Sequence, residues 1–281
     1  MEHTNWPALL QFVDAKLFDV DKLNVFVALV ALSALLLYFI YHARRGKALF
    51  IRRIPGLESV EEAIGRATEL GKPMLYVSGI GAQDDMATIA AMNILGYVAE
   101  RVADYDTELI VPCVDPVVMA IEQELVRSSY TRAGRPENYK EDRIFFVTNQ
   151  QFPYAMAVSG IMVRQKPAAN FFLGSFAAEA LILAEAGSGT GAIQIAGTAD
   201  VAQIPFFIVA CDYTLIGEEL FAASAYLSRE PLLLGSLKGQ DLAKFIIIVA
   251  LVAGIVLVSV QVFVHADIST WFVDLFKVVA G

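Results

Sequence analysis

In the middle of this 281-residue chain, five apolar runs each end in a small or polar cluster. The clusters are Ser78-Gly79-Ile80-Gly81, Val114-Asp115-Pro116, Thr148-Asn149-Gln150, residues 196–200 and Cys211-Asp212-Tyr213-Thr214. If the runs are parallel strands, the clusters gather on one sheet edge, where open α/β sheets bind ligands. The ligand-binding candidates are then Ser78, Gly79, Asp115, Thr148, Thr198, Asp200 and Asp212. Their hydroxyls, carboxylates and unhindered backbone suit a nucleotide or another small metabolite. A plainer reading competes and is favoured, since connections between strands and helices need glycine turns and Ser, Thr or Asp caps in any case.

Other chemistry is harder to build. The run from Gly187 to Gly191 resembles a phosphate-cradling loop only in glycine content. It lacks the lysine of a P-loop and follows a helical pattern, so it reads as a helix stop and turn. Asp84-Asp85 and Glu218-Glu219 are adjacent pairs, and adjacent helical residues do not face each other, so neither pair makes an acid–base dyad or a metal site. Asp84-Asp85 reads as a helix start favoured by the dipole. Arg164 and Lys166 fit a solvated strand end. The histidines are His3, His42 and His265, which leaves none for a catalytic or metal site between residues 43 and 244. Cys113 and Cys211 stand alone in apolar runs and read as buried small hydrophobes. Cofactor and metal motifs are lacking, which favours a protein without enzymatic activity while leaving an enzyme open as the alternative.

The elements that must position these residues alternate. Strands are predicted at 74–78, 109–113, 144–148, 161–164, 192–196 and 206–211. Helices are predicted near 59–70, 85–103, 116–132, 152–159, 170–186 and 214–227. Continuous apolar strands between helical segments imply a mainly parallel, Rossmann-like α/β sheet with helices on both faces. Ser59 with Glu62 fits a capping box, and Asp115-Pro116 fits an N-cap followed by proline at the first helical position. The stretches 168–184 and 201–217 are apolar enough to compete as membrane spans. Each carries an acid, Glu179 or Asp212, and burial in the domain or a subunit interface is favoured. Small residues among large ones at 170–184 suggest a helix contact between subunits.

Two uncharged stretches frame this domain, at 23–41 and 245–264. About 20 apolar residues span a bilayer core. Arg44, Arg45, Lys47, Arg52 and Arg53 follow the first stretch and Arg229, Lys238 and Lys244 precede the second, whereas acids predominate on the far sides. Positive charge marks the cytoplasmic side. The first stretch does not read as a signal peptide, since its basic cluster comes after the apolar run and no cleavage site follows. The expected organisation is an extracytoplasmic amphipathic segment at 1–22, a transmembrane helix at 23–42, a cytoplasmic α/β domain at 43–244, a second transmembrane helix at 245–264 and an amphipathic tail at 265–281. The amphipathic ends suit the headgroup layer. The domain carries 18 basic against 24 acidic residues, which argues against nucleic acid as a partner.

Several stretches, among them IRRIPGLESVEEAIGRATELGKP at 51–73, ELIVPCVDPVVM at 108–119 and the long run from Thr190 to Asp241, resemble a bacterial family of integral membrane proteins containing a domain of unknown function. The resemblance implies a protein of the bacterial inner membrane and carries no activity or site residue. The function expected is that of a membrane-anchored scaffold, self-associating or joining a larger assembly through its α/β domain. The alternative is a sensor or enzyme that binds a small molecule or nucleotide at the strand-end crevice. Transport fits poorly, because two uncharged spans offer no polar path. The bilayer and further copies of the chain are the partners expected.

Overall fold

The computed structural model describes residues 23–45, 55–228 and 230–264. The amphipathic segments expected at 1–22 and 265–281 lie outside the described residues, as do Lys47, Arg52 and Arg53. The chain forms two compact units, one made of 1–49 with 231–281 and the other of 50–230.

In the first unit, α1 (Leu23–Arg44) packs against α9 (Pro231–Val264). Two segments are long and apolar enough to cross a membrane, Asn24–Arg44 with 21 residues and Pro231–Val260 with 30. At about 1.5 Å per residue the first matches a hydrocarbon core of roughly 30 Å and the second exceeds it. The second helix starts at Pro231, so residues 231–244, expected in the domain, belong to this helix. The two helices approach closely at Gly235 and Gly239. A Cβ at Gly235 would lie 2.6 Å from Ile40 Cα, and one at Gly239 would lie 2.7 Å from Leu36 Cδ2. This is the small-xxx-small spacing that lets membrane helices meet backbone to backbone.

The second unit holds six parallel strands in the order β3-β2-β1-β4-β5-β6. They are β1 (Met74–Gly79), β2 (Leu109–Cys113), β3 (Ile144–Phe146), β4 (Ala169–Ser175), β5 (Ile193–Thr198) and β6 (Tyr213–Ile216). This is the doubly wound order, with a topological switch point between β1 and β4. One face is covered by α2 (Pro55–Leu70), α3 (Met86–Asp104), α4 (Pro116–Arg132) and α8 (Glu218–Ser228), around Ile64, Ile94, Val126 and Leu220. The other is covered by α5 (Gln151–Gln165), α6 (Glu179–Ser188) and α7 (Ile204–Ala210), around Tyr154, Met162, Leu183 and Phe207. The two largest polar rings in these layers satisfy their hydroxyls on backbone: Tyr76 donates to Ala91 O and Tyr154 to Pro112 O.

Several sequence expectations give way here. Residues 161–164 continue α5 instead of forming a strand. Residues 170–186 are not one helix, because 169–175 form the central strand β4. The packing that small residues suggested for two subunits is therefore packing within one sheet, where Asn170, Phe171 and Phe172 are wholly buried. Residues 206–211 fall largely in α7, whose Pro205 sits in its first turn. Residues 214–227 split into β6 and α8. The helix expected from Ser59 begins four residues earlier, at Pro55, so Ser59 is not its cap.

Candidate functional site

At the switch point the backbones of β1 and β4 come unusually close. Ile80 N donates to Ser175 O at 2.8 Å, and the register shifts between Val77 and Gly79. Gly79 has φ +81° and Gly174 has φ +132°. A Cβ at Gly79 would lie 2.1 Å from Ser175 O, and one at Gly174 would lie 2.3 Å from Ser78 O. Only glycine combines that approach with those backbone angles.

The loop from Gly79 to Asp84 stands where a dinucleotide fold places its phosphate-binding glycines. It reads Gly-Ile-Gly-Ala-Gln-Asp, so an aspartate replaces the third glycine. The next residue settles what the helix end holds. Asp85 is the N-cap of α3, and its Oδ2 accepts from Thr88 N at 2.8 Å, Thr88 Oγ1 at 2.9 Å and Ser175 Oγ at 2.8 Å. Burial pushes this carboxyl up, but the hydrogen bonds from Ser175, Thr88 and Ala87 outweigh that and hold it below its ordinary value. A helix N-terminus would otherwise be an anion site. Here the protein's own carboxylate fills it, and a phosphate would meet negative charge.

Beside this node lies a crevice of about 170 Å³, lined by Ile80, Gly81, Ala82, Val114, Asp115, Asn149 and Gln151. Asp115 is bound up as the N-cap of α4, its Oδ1 accepting from Val117 N and Val118 N. Gln151 Nε2 donates to Glu179 Oε2 at 2.5 Å, and Glu179 Oε1 accepts from Ala177 N. The crevice can hold a small polar molecule. Its walls offer no nucleophile with a base beside it.

Behind the strand ends, Glu122 of α4 is wholly buried. Cys113 donates its thiol to Glu122 Oε2 at 3.0 Å, and Glu122 Oε1 has no hydrogen-bond partner. Burial raises Glu122 to about 7, against the lowering effect of Cys113 and Ser78. Burial first, then Glu122, pushes the Cys113 thiol far up, so it is no nucleophile at neutral pH. Cys211 is only partly buried.

The candidate residues divide accordingly. Ser78, Gly79, Asp115, Thr148, Thr198 and Asp200 lie at the carboxyl ends of β1, β2, β3 and β5. Of these, Asp115 alone lines the crevice. Asp200 turns inward on its own loop, accepting from Ala202 N. Asp212 is misplaced by the sequence reading. Because 204–210 is helical, Asp212 precedes β6 and stands at the opposite sheet edge, where its Oδ2 accepts from Gln194 N at 2.8 Å. Asp85 as a lock on Ser175 and Glu122 as a buried acid were not foreseen. Asp85 was recognisable as a cap, but its partner lies 90 residues away. Among the described residues, no group of three or more His, Cys, Asp or Glu is placed to hold a metal ion.

Residues 13–269 match the family described as "Domain of unknown function (DUF6754)", and the chain belongs to that family. No curated protein matches the chain. No solved structure matches it either.

Proposed function

We propose that this member of the DUF6754 family is a scaffold of the bacterial inner membrane, anchored by α1 and α9, whose α/β domain lies in the cytoplasm and joins a second copy through the outer edge of β6. The bacterial placement rests on the sequence resemblance. The cytoplasmic placement rests on the basic residues at 44–53 and at 229, 238 and 244, set against acidic far sides.

The observation that carries self-association is the contrast between the two sheet edges. Next to β3, Lys140 and Arg143 both pair with Glu108, and Glu141 and Asp142 complete a charged border. Charge of this kind is how monomers protect an edge. β6 reads Tyr-Thr-Leu-Ile, has no outer strand partner among the described residues and carries no charge of its own. On the neighbouring α7, Val209 is 88% exposed and Ile208 52%, and Ile216 of the strand itself is 45% exposed. Acids border the strand at both ends, Asp212 before it, Glu62 accepting from the Tyr213 hydroxyl at 3.3 Å and Glu219 Oε2 accepting from Ile216 N at 3.1 Å, so pairing would run through 213–215. An uncharged open edge flanked by apolar side chains complements a copy of itself about a two-fold axis, extending the sheet across both copies.

Native mass spectrometry of the full chain in mild detergent tests this. A dimer or a multiple of it is expected, and Val209→Lys combined with Ile208→Lys should convert it to monomer. A wild-type monomer at every accessible concentration would reject the reading.

A further inference from the structure

Two glycine contacts fix how α1 and α9 are aligned. A Cβ on Gly235 would meet Ile40 Cα, and one on Gly239 would meet Leu36 Cδ2. Four residues forward on α9 answer to four back on α1, so the helices run antiparallel. Counted on from these contacts, Lys238 stands level with Leu37, Asp241 with Ala34 and Lys244 with Ala31. α9 carries no charged residue besides these three. Its uncharged stretch 245–264 is therefore out of step with the uncharged stretch 23–41 of α1. The offset is about eleven residues, or roughly 16 Å along the axes. A tilt within the usual range, up to about 40°, does not remove it.

One bilayer cannot be centred on both stretches. Centred on α1, it takes Lys238, Asp241 and Lys244 into the hydrocarbon, where a charged side chain on a lone helix is expensive. Centred on 245–264, it leaves Leu37, Tyr38 and Tyr41 at its boundary or in water, and these are 66%, 55% and 51% exposed. Either placement leaves the same segment, 31–41 with 234–244, in need of cover that α1 and α9 do not give each other. Asp241 and Lys244 are exposed on the pair, and no hydrogen bond or ion pair engages Asp241 among the described residues.

The three charges indicate what the cover is. Residues three apart on a helix are neighbours, so Lys-x-x-Asp-x-x-Lys presents a carboxylate between two ammonium groups on one face. Copies inserted with the same topology run parallel, and about a two-fold axis equal heights meet. Each Asp241 then stands between Lys238 and Lys244 of the second copy. The pattern is its own complement, which lipid tails and a wholly apolar helix are not. Exclusion of water strengthens the attraction, and the exposed Gln240 adds an amide for hydrogen bonding between helices.

We propose that α9 pairs with α9 of a second copy in the bilayer through Lys238, Asp241 and Lys244. This rests on the reading of α1 and α9 as bilayer-crossing helices. It adds to the β6 edge a second contact between copies, one that needs lipid because a detergent micelle admits water to the charges. Energy transfer between donor- and acceptor-labelled full chains, sparse in phosphatidylcholine vesicles, tests it. Ile208→Lys with Val209→Lys removes the β6 contact from every chain used. Transfer is expected to persist in that background. It should fall about fivefold or more when donor and acceptor chains both carry Asp241→Lys, or both carry Lys238→Asp with Lys244→Asp, because like charges then face each other. Mixing donors of one kind with acceptors of the other restores opposite charges and should restore transfer, which chains that merely misfold or fail to insert would not do. No transfer in the background lacking the β6 contact, transfer that survives both changes, or mixed chains that stay apart would overturn the proposal. A wild-type monomer in detergent beside transfer in vesicles would reject the β6 contact and leave this one standing.

Discussion

Ser175 donates its hydroxyl to Asp85 Oδ2 at 2.8 Å, joining the end of β4 to the start of α3 across 90 positions of chain. The bond closes the point at which the sheet reverses its winding, and it explains why a doubly wound strand order here does not by itself imply a nucleotide. The anion that the helix end attracts is already covalently part of the chain.

Removing that anion should be costly. Asp85→Ala strands the Thr88 N–H, the Thr88 hydroxyl and the Ser175 hydroxyl together, and is expected to lower unfolding stability by about 2 kcal/mol. Because the folded carboxyl is held below its ordinary 3.8, the stability it contributes is present above that pH and is lost as pH falls further. Urea midpoints at neutral pH check the substitution. A midpoint unchanged in Asp85→Ala would show that the node holds nothing together.

Gly174→Ala should be worse than its size suggests. The added methyl meets Ser78 O at 2.3 Å in a backbone conformation with φ +132°, which side chains rarely adopt. A loss of about 3 kcal/mol is expected, seen as a lower melting temperature or as failure to accumulate. Wild-type stability would show that β1 and β4 can separate here without cost.

Glu122 makes the opposite pH prediction to Asp85. Its folded value of about 7 exceeds the ordinary 4.5, so between those pH values the folded chain keeps a proton that the unfolded chain releases. Stability is therefore greatest below about pH 4.5 as far as this group is concerned, declines as pH rises through the window, and levels off above 7. The whole effect is up to about 3 kcal/mol. Glu122→Gln, isosteric and uncharged, should flatten that slope and leave the protein more stable than wild type at pH 8. Denaturant midpoints at pH 5 and pH 8 for both proteins measure it, and parallel slopes would refute it.

In the two-helix unit, Gly235→Leu places a side chain where a Cβ would already lie 2.6 Å from Ile40 Cα. The pair of helices should be forced apart by several ångströms. Spin-label distances between residues 24 and 251 in lipid nanodiscs would record this, and an unaltered distance distribution would show that the glycines are not what brings the helices together.

How legible these features were depends on burial. β1 and β2 stood out as five-residue apolar runs at 74–78 and 109–113, and Asp115-Pro116 marked the start of α4 correctly. β4 did not, because a strand buried on both faces shows no alternation, and Ala-Asn-Phe-Phe-Leu-Gly-Ser reads as readily as helix. The seven apolar residues of α7 failed in the reverse direction, with Pro205 as the overlooked sign of a helix start. That one exchange carried Asp212 from one edge of the sheet to the other. Glu122 looked like any acid on an amphipathic helix until its position against Cys113 was known.

Composition and order along the chain were enough to establish two membrane-length helices around an α/β domain, since hydrophobic length and the alternation of elements are local properties. Which strands become neighbours is not local. The turn of the chain from β3 back to β4 decided that Ser175 meets Asp85, that Gln194 lies beside Asn170, and that β6 is left at an uncharged edge, because side chains far apart in sequence acquire partners only when packing brings their strands together.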